Sequence, residues 1–162
     1  MSEARIPGLV ERIEAGQRRL EELAAAGAER LARSYAPGKW NGVELLAHLA
    51  DADLVYHYRI AKVIAEEGQP IVPFDQDRWI VELHASRRPV EVSLAACRAA
   101  RLCVTHLLRS MPSAVWRRQA FHPEAGNLSA LDLAQRMADH ALHHAGQLQA
   151  IRDGRNWEPA RG

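Results

Sequence analysis

Disulfide chemistry is nearly missing from this sequence. Its two cysteines, Cys97 and Cys103, fall six positions apart on one helical pattern, on different faces and about 9 Å apart along the axis, too far to bridge. Both read as small core residues, and a reducing cytoplasm is the expected location. A surplus of either charge is missing too: 21 Lys and Arg stand against 20 Asp and Glu, for a net charge of +1. That balance leaves no basic footprint for nucleic acid or an anionic membrane. No apolar run approaches the roughly 20 residues that span a bilayer. Met1 to Pro7 carries Glu3 and no apolar stretch, so no signal peptide is expected. Internal repeats, low-complexity tracts and a strong strand pattern are also missing, which predicts one soluble domain over residues 1–162. What is present is a 162-residue chain that is 48% hydrophobic. A chain of that length buries about 70% of its unfolded surface. It needs no metal merely to fold, so a metal it holds serves function.

Four long segments carry helical periodicity, which predicts an all-α, antiparallel four-helix bundle. In the first, Pro7 to about Arg33, Leu9, Ile13, Leu20, Leu23 and Leu31 recur near a 3.6-residue period, with Gly16 and Gly27 weakening the helix without ending it. Ala36-Pro37-Gly38 then breaks the chain. Asn41 with Glu44 forms a capping-box pattern for the second helix, whose stripe runs through Leu45, Leu49, Ala52, Val55, Tyr56 and Val63 to Glu67. Gly68 and Pro70 stop it. Gln69 to Pro89 reads as a long crossover holding one short helix near Asp75 to His84. The third helix spans about Val90 to Arg109, with Leu94, Cys97, Arg101, Val104 and Leu108 on one side. Phe121 to Asn127 reads as a turn-rich loop. Ser129, with Asp132 three residues on, caps the fourth helix, which continues to about Arg152 before Gly154.

The chemistry lies in Asp139-His140-Ala141-Leu142-His143-His144-Ala145-Gly146-Gln147. Residues four apart share a helical face, so His140 and His144 can aim at one point. Leu133, Met137, His140, His144, Leu148 and Ile151 form the inward stripe. His143 falls elsewhere, beside Arg136, Asp139 and Gln147, on the solvent side or behind a ligand. His48 stands on the apolar stripe of the second helix, three after Leu45 and four before Ala52. Three imidazoles from facing helices suit one divalent ion with an open position. The competing reading is three satisfied core histidines, each of which would need its own buried partner. No glutamate sits between His140 and His144, so this is not the metalloprotease motif. Asp51 either orients a ligand imidazole or is a solvated carboxylate. His122 reads as a turn residue, with the mouth of a site as the alternative, and His57, His84 and His106 carry no role. Trp40, Trp79 and Trp116 read as packing anchors, Trp79 alternatively as a pocket wall.

The string Pro37-Gly38-Lys39-Trp40-Asn41-Gly42-Val43-Glu44-Leu45-Leu46-Ala47-His48-Leu49-Ala50-Asp51 resembles the second-helix signature of the DinB/YfiT-like metalloenzyme family. His140 to Arg152 is similar to its last-helix signature, and the segments Phe74 to Trp79 and Phe121 to Ser129 resemble their family counterparts. The resemblance implies a four-helix bundle with a crossover between helices two and three, often a homodimer. It also implies zinc or nickel on His48, His140 and His144, with no ligand missing. Family activities include thiol-dependent S-transfer and, more distantly, a mycothiol-dependent maleylpyruvate isomerisation. The expected function is therefore metal-dependent transfer of a low-molecular-weight thiol to a small electrophile, with no catalytic side chain assigned beyond the ligands. A transferase or a hydrolase both fit such a centre, and the alternative is a non-catalytic metal-binding or stress-response bundle.

Overall fold

The computed structural model describes residues 5–158. Positions 1–4, part of the segment expected to lack a signal peptide, and positions 159–162 of the expected domain lie outside the described residues. Six α-helices are described: α1 (Ile6–Ala24), α2 (Ala28–Leu31), α3 (Gly42–Ala65), α4 (Gln76–Glu82), α5 (Val90–Ser110) and α6 (Ala130–Asp153). A hairpin of β1 (Gln119–His122) and β2 (Gly126–Ser129) precedes α6. No helix among the described residues is long and apolar enough to cross a membrane.

The helix ends follow local chemistry. The Asn41 side chain accepts the Glu44 N–H and the Glu44 carboxylate accepts the Asn41 N–H, both at 2.9 Å. Ser129 and Asp132 repeat this box at α6, and Gly154, at φ 68°, ends it. Three expectations change. The first helix ends at Ala24 instead of running on to about Arg33, and Gly27, at a φ of 91° that residues with a Cβ avoid, separates it from α2. The turn-rich loop is the tip of the hairpin, whose four-residue strands are too short to show an alternating pattern. Cys103 is exposed while Cys97 is buried, since the buried face of α5 runs through Ser93, Cys97, Ala100, Arg101, Val104, Thr105 and Leu108.

Each of α1 and α3 packs against both α5 and α6. The four long helices therefore form a ring in the order α1, α6, α3, α5, with successive α1 and α3 on a diagonal. Polar contacts fix the directions. Glu14–Arg109 and Glu21–Arg98 run oppositely, so α1 and α5 are antiparallel. Arg12–Asp139 and Arg19–Gln149 climb together, so α1 and α6 are parallel. Arg88 on the Ala47 carbonyl, Arg101 on Asp53 and Arg118 on the Ile64 carbonyl likewise make α3 and α5 parallel. Among neighbours in the ring the antiparallel arrangement thus holds for α1/α5 and α3/α6 and fails for α1/α6 and α3/α5. The crossover is the cause, because it returns the chain along α3 before α5 starts.

Two apolar clusters fill the ring. One gathers Ile13, Ile60, Ile64, Ala100, Val104, Trp116 and Met137. The other gathers Leu20, Leu45, Leu49, Cys97, Ala145 and Leu148. Between them on each helix falls a polar position: partly buried Gln17 on α1, buried Asp53 on α3, buried Arg101 on α5, and partly buried His140 with buried His144 on α6. Arg101 Nε donates to Asp53 Oδ2 at 2.7 Å inside this layer.

Candidate metal centre

The facing stripes of α3 and α6 place the imidazoles. His48 is 2% exposed among Leu45, Leu49 and Ala52, and His144 is buried with Leu133, Met137, Leu148 and Ile151. His140 is partly buried between them. The three rings meet through the same atom type. His140 Nε2 lies 3.0 Å from His48 Nε2 and 3.0 Å from His144 Nε2, and one donor from each residue falls within 4.8 Å of the others.

Hydrogen bonding alone does not satisfy this cluster. Gln147 Oε1 accepts from His144 Nδ1 at 2.6 Å, which leaves the His144 Nε2 lone pair facing the centre. A neutral His140 carries at most one hydrogen on Nε2, so it cannot donate to both neighbours. For His140 Nε2 to accept from both, His144 would have to give up its bond to Gln147 Oε1. His140 Nδ1, also buried, has no partner. Burial lowers all three basicities. His48 is held at about 3, with the charge of His144 adding to the effect. His140 is held at about 2, with His144 and His48 contributing. His144 is held at about 4, with Gln147 acting in the opposite sense. Three neutral imidazoles with inward lone pairs are the donor set of a divalent ion. Nitrogens about 2.0–2.1 Å from a common ion, and about 90° to 110° apart around it, lie about 2.9–3.4 Å from one another. The two separations through His140, 3.0 Å each, meet that condition, and the His48 and His144 nitrogens lie within 4.8 Å of one another.

Aromatic rings and a polar cavity surround the cluster. The Trp40 ring centroid is 4.8 Å from that of His48, and Tyr56 is 6.0 Å from His140. A cavity of about 350 Å³ reaches His144 between Tyr35, Lys39, Trp40, Asp77, His143 and Gln147. Trp157 packs against two of these lining residues: its ring lies 5.0 Å from His143, and its backbone N–H donates to the Tyr35 carbonyl at 3.1 Å.

The remaining sequence candidates sort clearly. His143 is exposed, with its ring 4.9 Å from His144. Its neighbour Gln147, placed with it by helical projection, does lie beside it, with Nε2 3.4 Å from His143 Nε2, but it is buried and its Oε1 accepts from His144. Asp51 orients no imidazole, because Arg88 binds both its oxygens, at 2.7 and 3.1 Å. His122 accepts from the Glu124 N–H within the hairpin turn, away from the centre. Trp79 packs on Phe74 at 4.7 Å and also walls a second cavity. His57, His84 and His106 lie outside the cluster. Gln147, Trp157 and the Asp53–Arg101 pair were not among the sequence candidates. The three-residue step from His144 to Gln147 was the available signal for the first.

The profile of the DinB superfamily matches residues 12–148, a segment that contains all three histidines. The chain belongs to the DinB superfamily. Among the proteins it is similar to, one from Oceanobacillus iheyensis, described as a candidate metal-dependent hydrolase, is 30% identical over 129 residues, 80% of this chain and 74% of the relative. Another, from Geobacillus kaustophilus and described in the same way, is 30% identical over 131 residues, 80% of this chain and 73% of the relative. In fold, the chain is similar to YfiT from Bacillus subtilis, a solved structure described as a candidate metal-dependent hydrolase with an unusual four-helix bundle topology. The TM-score is 0.88 at 21% identity, covering 96% of this chain and 91% of that one. The mycothiol-dependent maleylpyruvate isomerase aligns with TM-score 0.70 and 14% identity, covering 88% of this chain and 60% of that one. The bundle with a crossover is thereby borne out, and metal-dependent relatives together with the imidazole cluster point to a divalent metal.

Proposed function

We propose that His48, His140 and His144 hold one zinc or nickel ion through Nε2, and that the protein is an enzyme transferring a low-molecular-weight thiol to a small electrophile. The observation that carries this reading is the approach of His48 Nε2 and His144 Nε2 to His140 Nε2, each at 3.0 Å, which neutral imidazoles cannot satisfy among themselves. Bound there, the ion supplies Lewis acidity that lowers the pKa of a thiol or water.

The chain's own residues do the rest. Gln147 fixes the tautomer of His144. Trp40 and Tyr56 keep bulk water from two sides of the imidazoles. The cavity at His144 admits a small polar co-substrate, and its lining includes Lys39, Gln76 and Asp77. No carboxylate belongs to the cluster among the described residues, so activation falls to the metal instead of a general base. A thiol is favoured over water by the likeness to an isomerase described as mycothiol-dependent, and water is favoured by the relatives described as hydrolase candidates.

The test is turnover of 1-chloro-2,4-dinitrobenzene by protein carrying one Zn²⁺ or Ni²⁺ per chain, across several thiols. Thiol-dependent product, lost in His48→Ala together with the metal, is the expected result. Product formed equally without thiol assigns water as the nucleophile. Absence of turnover in the loaded protein overturns the catalytic reading and leaves a metal that only stabilises the bundle.

A further inference from the structure

A second cavity, of about 230 Å³, lies beneath the crossover, away from the histidine-side opening. Tyr58, Arg59 and Lys62 of α3 form its floor, and Phe74 and Trp79 wall it. Arg59 follows His48 by eleven residues on α3, about 16 Å along the axis. The α4 helix roofs both spaces: Gln76 and Asp77 face the cavity at His144, Ile80 packs on Ala47 and Trp40, and Trp79 faces the second cavity.

The charges in this cavity do not balance. Lys62 is paired with Glu66 at 2.6 Å. Arg59 donates through Nη2 to the Val72 carbonyl at 2.7 Å, which fixes its fork. Its guanidinium carbon lies 5.8 Å from the centre of the Phe74 ring. Its Nε is buried without a partner, and no carboxylate pairs with it among the described residues. A half-buried guanidinium lacking a counter-ion is unfavourable, and an anion with matching geometry relieves it. The walls are aromatic and aliphatic, which suits a ring and not a hydrated inorganic ion. The volume is below the roughly 300–1,000 Å³ of drug-sized sites, so it takes one ring and not a nucleotide or a folded peptide.

We propose that this cavity binds a small aromatic monoanion, its carboxylate on Arg59 and its ring against Phe74 and Trp79. The inference rests on the cavity's own residues and not on the metal chemistry proposed above.

The experiment is calorimetric titration of the full chain with benzoate, benzamide and cyclohexanecarboxylate, before and after chelation. Benzoate binds at least tenfold tighter than benzamide and several-fold tighter than cyclohexanecarboxylate, equally well in chelated protein. Arg59→Gln brings benzoate down to the level of benzamide, and Trp79→Leu weakens both aromatic ligands. Where Arg59→Gln fails to fold, wild-type protein is treated with phenylglyoxal, and benzoate protects Arg59 from modification. Equal binding of benzoate and benzamide, no binding at 10 mM benzoate, loss of binding on chelation, or no protection of Arg59 each overturns the proposal.

Discussion

Acidifying the metal-free protein from pH 7.0 to pH 5.5 should cost it about 3 kcal/mol of stability. Burial holds His48, His140 and His144 at about 3, about 2 and about 4, below their ordinary 6.5. The unfolded chain therefore takes up protons on these rings near pH 6.5, while the folded chain does so only at much lower pH. Their contribution is complete above about pH 6.5 and is lost progressively as pH falls from there toward the folded values. At pH 5.5 proton binding stabilises the unfolded chain by about 1.4 kcal/mol per imidazole, against about 0.2 kcal/mol at pH 7.0, so three rings cost about 4 kcal/mol. Asp53 acts oppositely. Burial, partly countered by Arg101, pushes it up to about 6, so the folded state gains that proton first and recovers about 1 kcal/mol. Urea unfolding in chelator at both pH values measures the net change. A triple His48→Gln, His140→Gln, His144→Gln variant should lose most of the slope. Equal stability at the two pH values, or greater stability at pH 5.5, refutes the burial of neutral imidazoles.

Gln147→Leu strands His144 Nδ1 and should weaken metal affinity about 10- to 100-fold by competition with a chromophoric chelator, while Gln147→Glu, which keeps the acceptor, stays near wild type. An unchanged affinity in Gln147→Leu would contradict the tautomer assignment. Asp51→Ala leaves Arg88 without its two-point partner and should cost about 2 kcal/mol in urea unfolding, with metal content by elemental analysis unaltered. A loss of metal would restore Asp51 to the centre. Gly42→Ala sets a Cβ 2.8 Å from Leu31 Cδ2 and 3.0 Å from the Leu31 backbone. Since that backbone cannot move aside cheaply, the cost should be about 1–3 kcal/mol, read as a lower urea midpoint.

The helices and the histidine stripe were legible because both rest on local periodicity. His48, His140 and His144 each stand three or four residues from apolar neighbours that the bundle buries, so projection alone aimed them inward. The capping boxes at Asn41 and Ser129 are contained in four-residue strings and were legible for the same reason. Gln147 was projected away because the faces of α6 were drawn from apolar residues, and a polar residue at the edge of the stripe has no apolar signature. Asp53 and Arg101 escaped because each needs the other: Arg101 stood on the predicted stripe of its helix, yet only the parallel packing of α3 and α5 brings the carboxylate to it. That packing depends on how the crossover travels, which no short window of sequence encodes.

The polar layer runs beside the centre, which takes His140 and His144 from it and His48 from among Leu45, Leu46 and Leu49 of one apolar cluster. Arg101 Nη1 and Nη2, Asp53 Oδ1, Gln17 Oε1 and His140 Nδ1 are buried without partners among the described residues, so the layer weakens the core locally. Stability then rests on the apolar clusters to either side of it. The layer contributes register in return. Sliding α6 along α3 by one turn, about 5.4 Å, would bring either Leu148 or Arg136 opposite His48 in place of one imidazole. Sliding α5 along α3 by the same amount would separate Arg101 from Asp53 and leave two uncompensated buried charges. Only one alignment of α3, α5 and α6 joins both sets of partners.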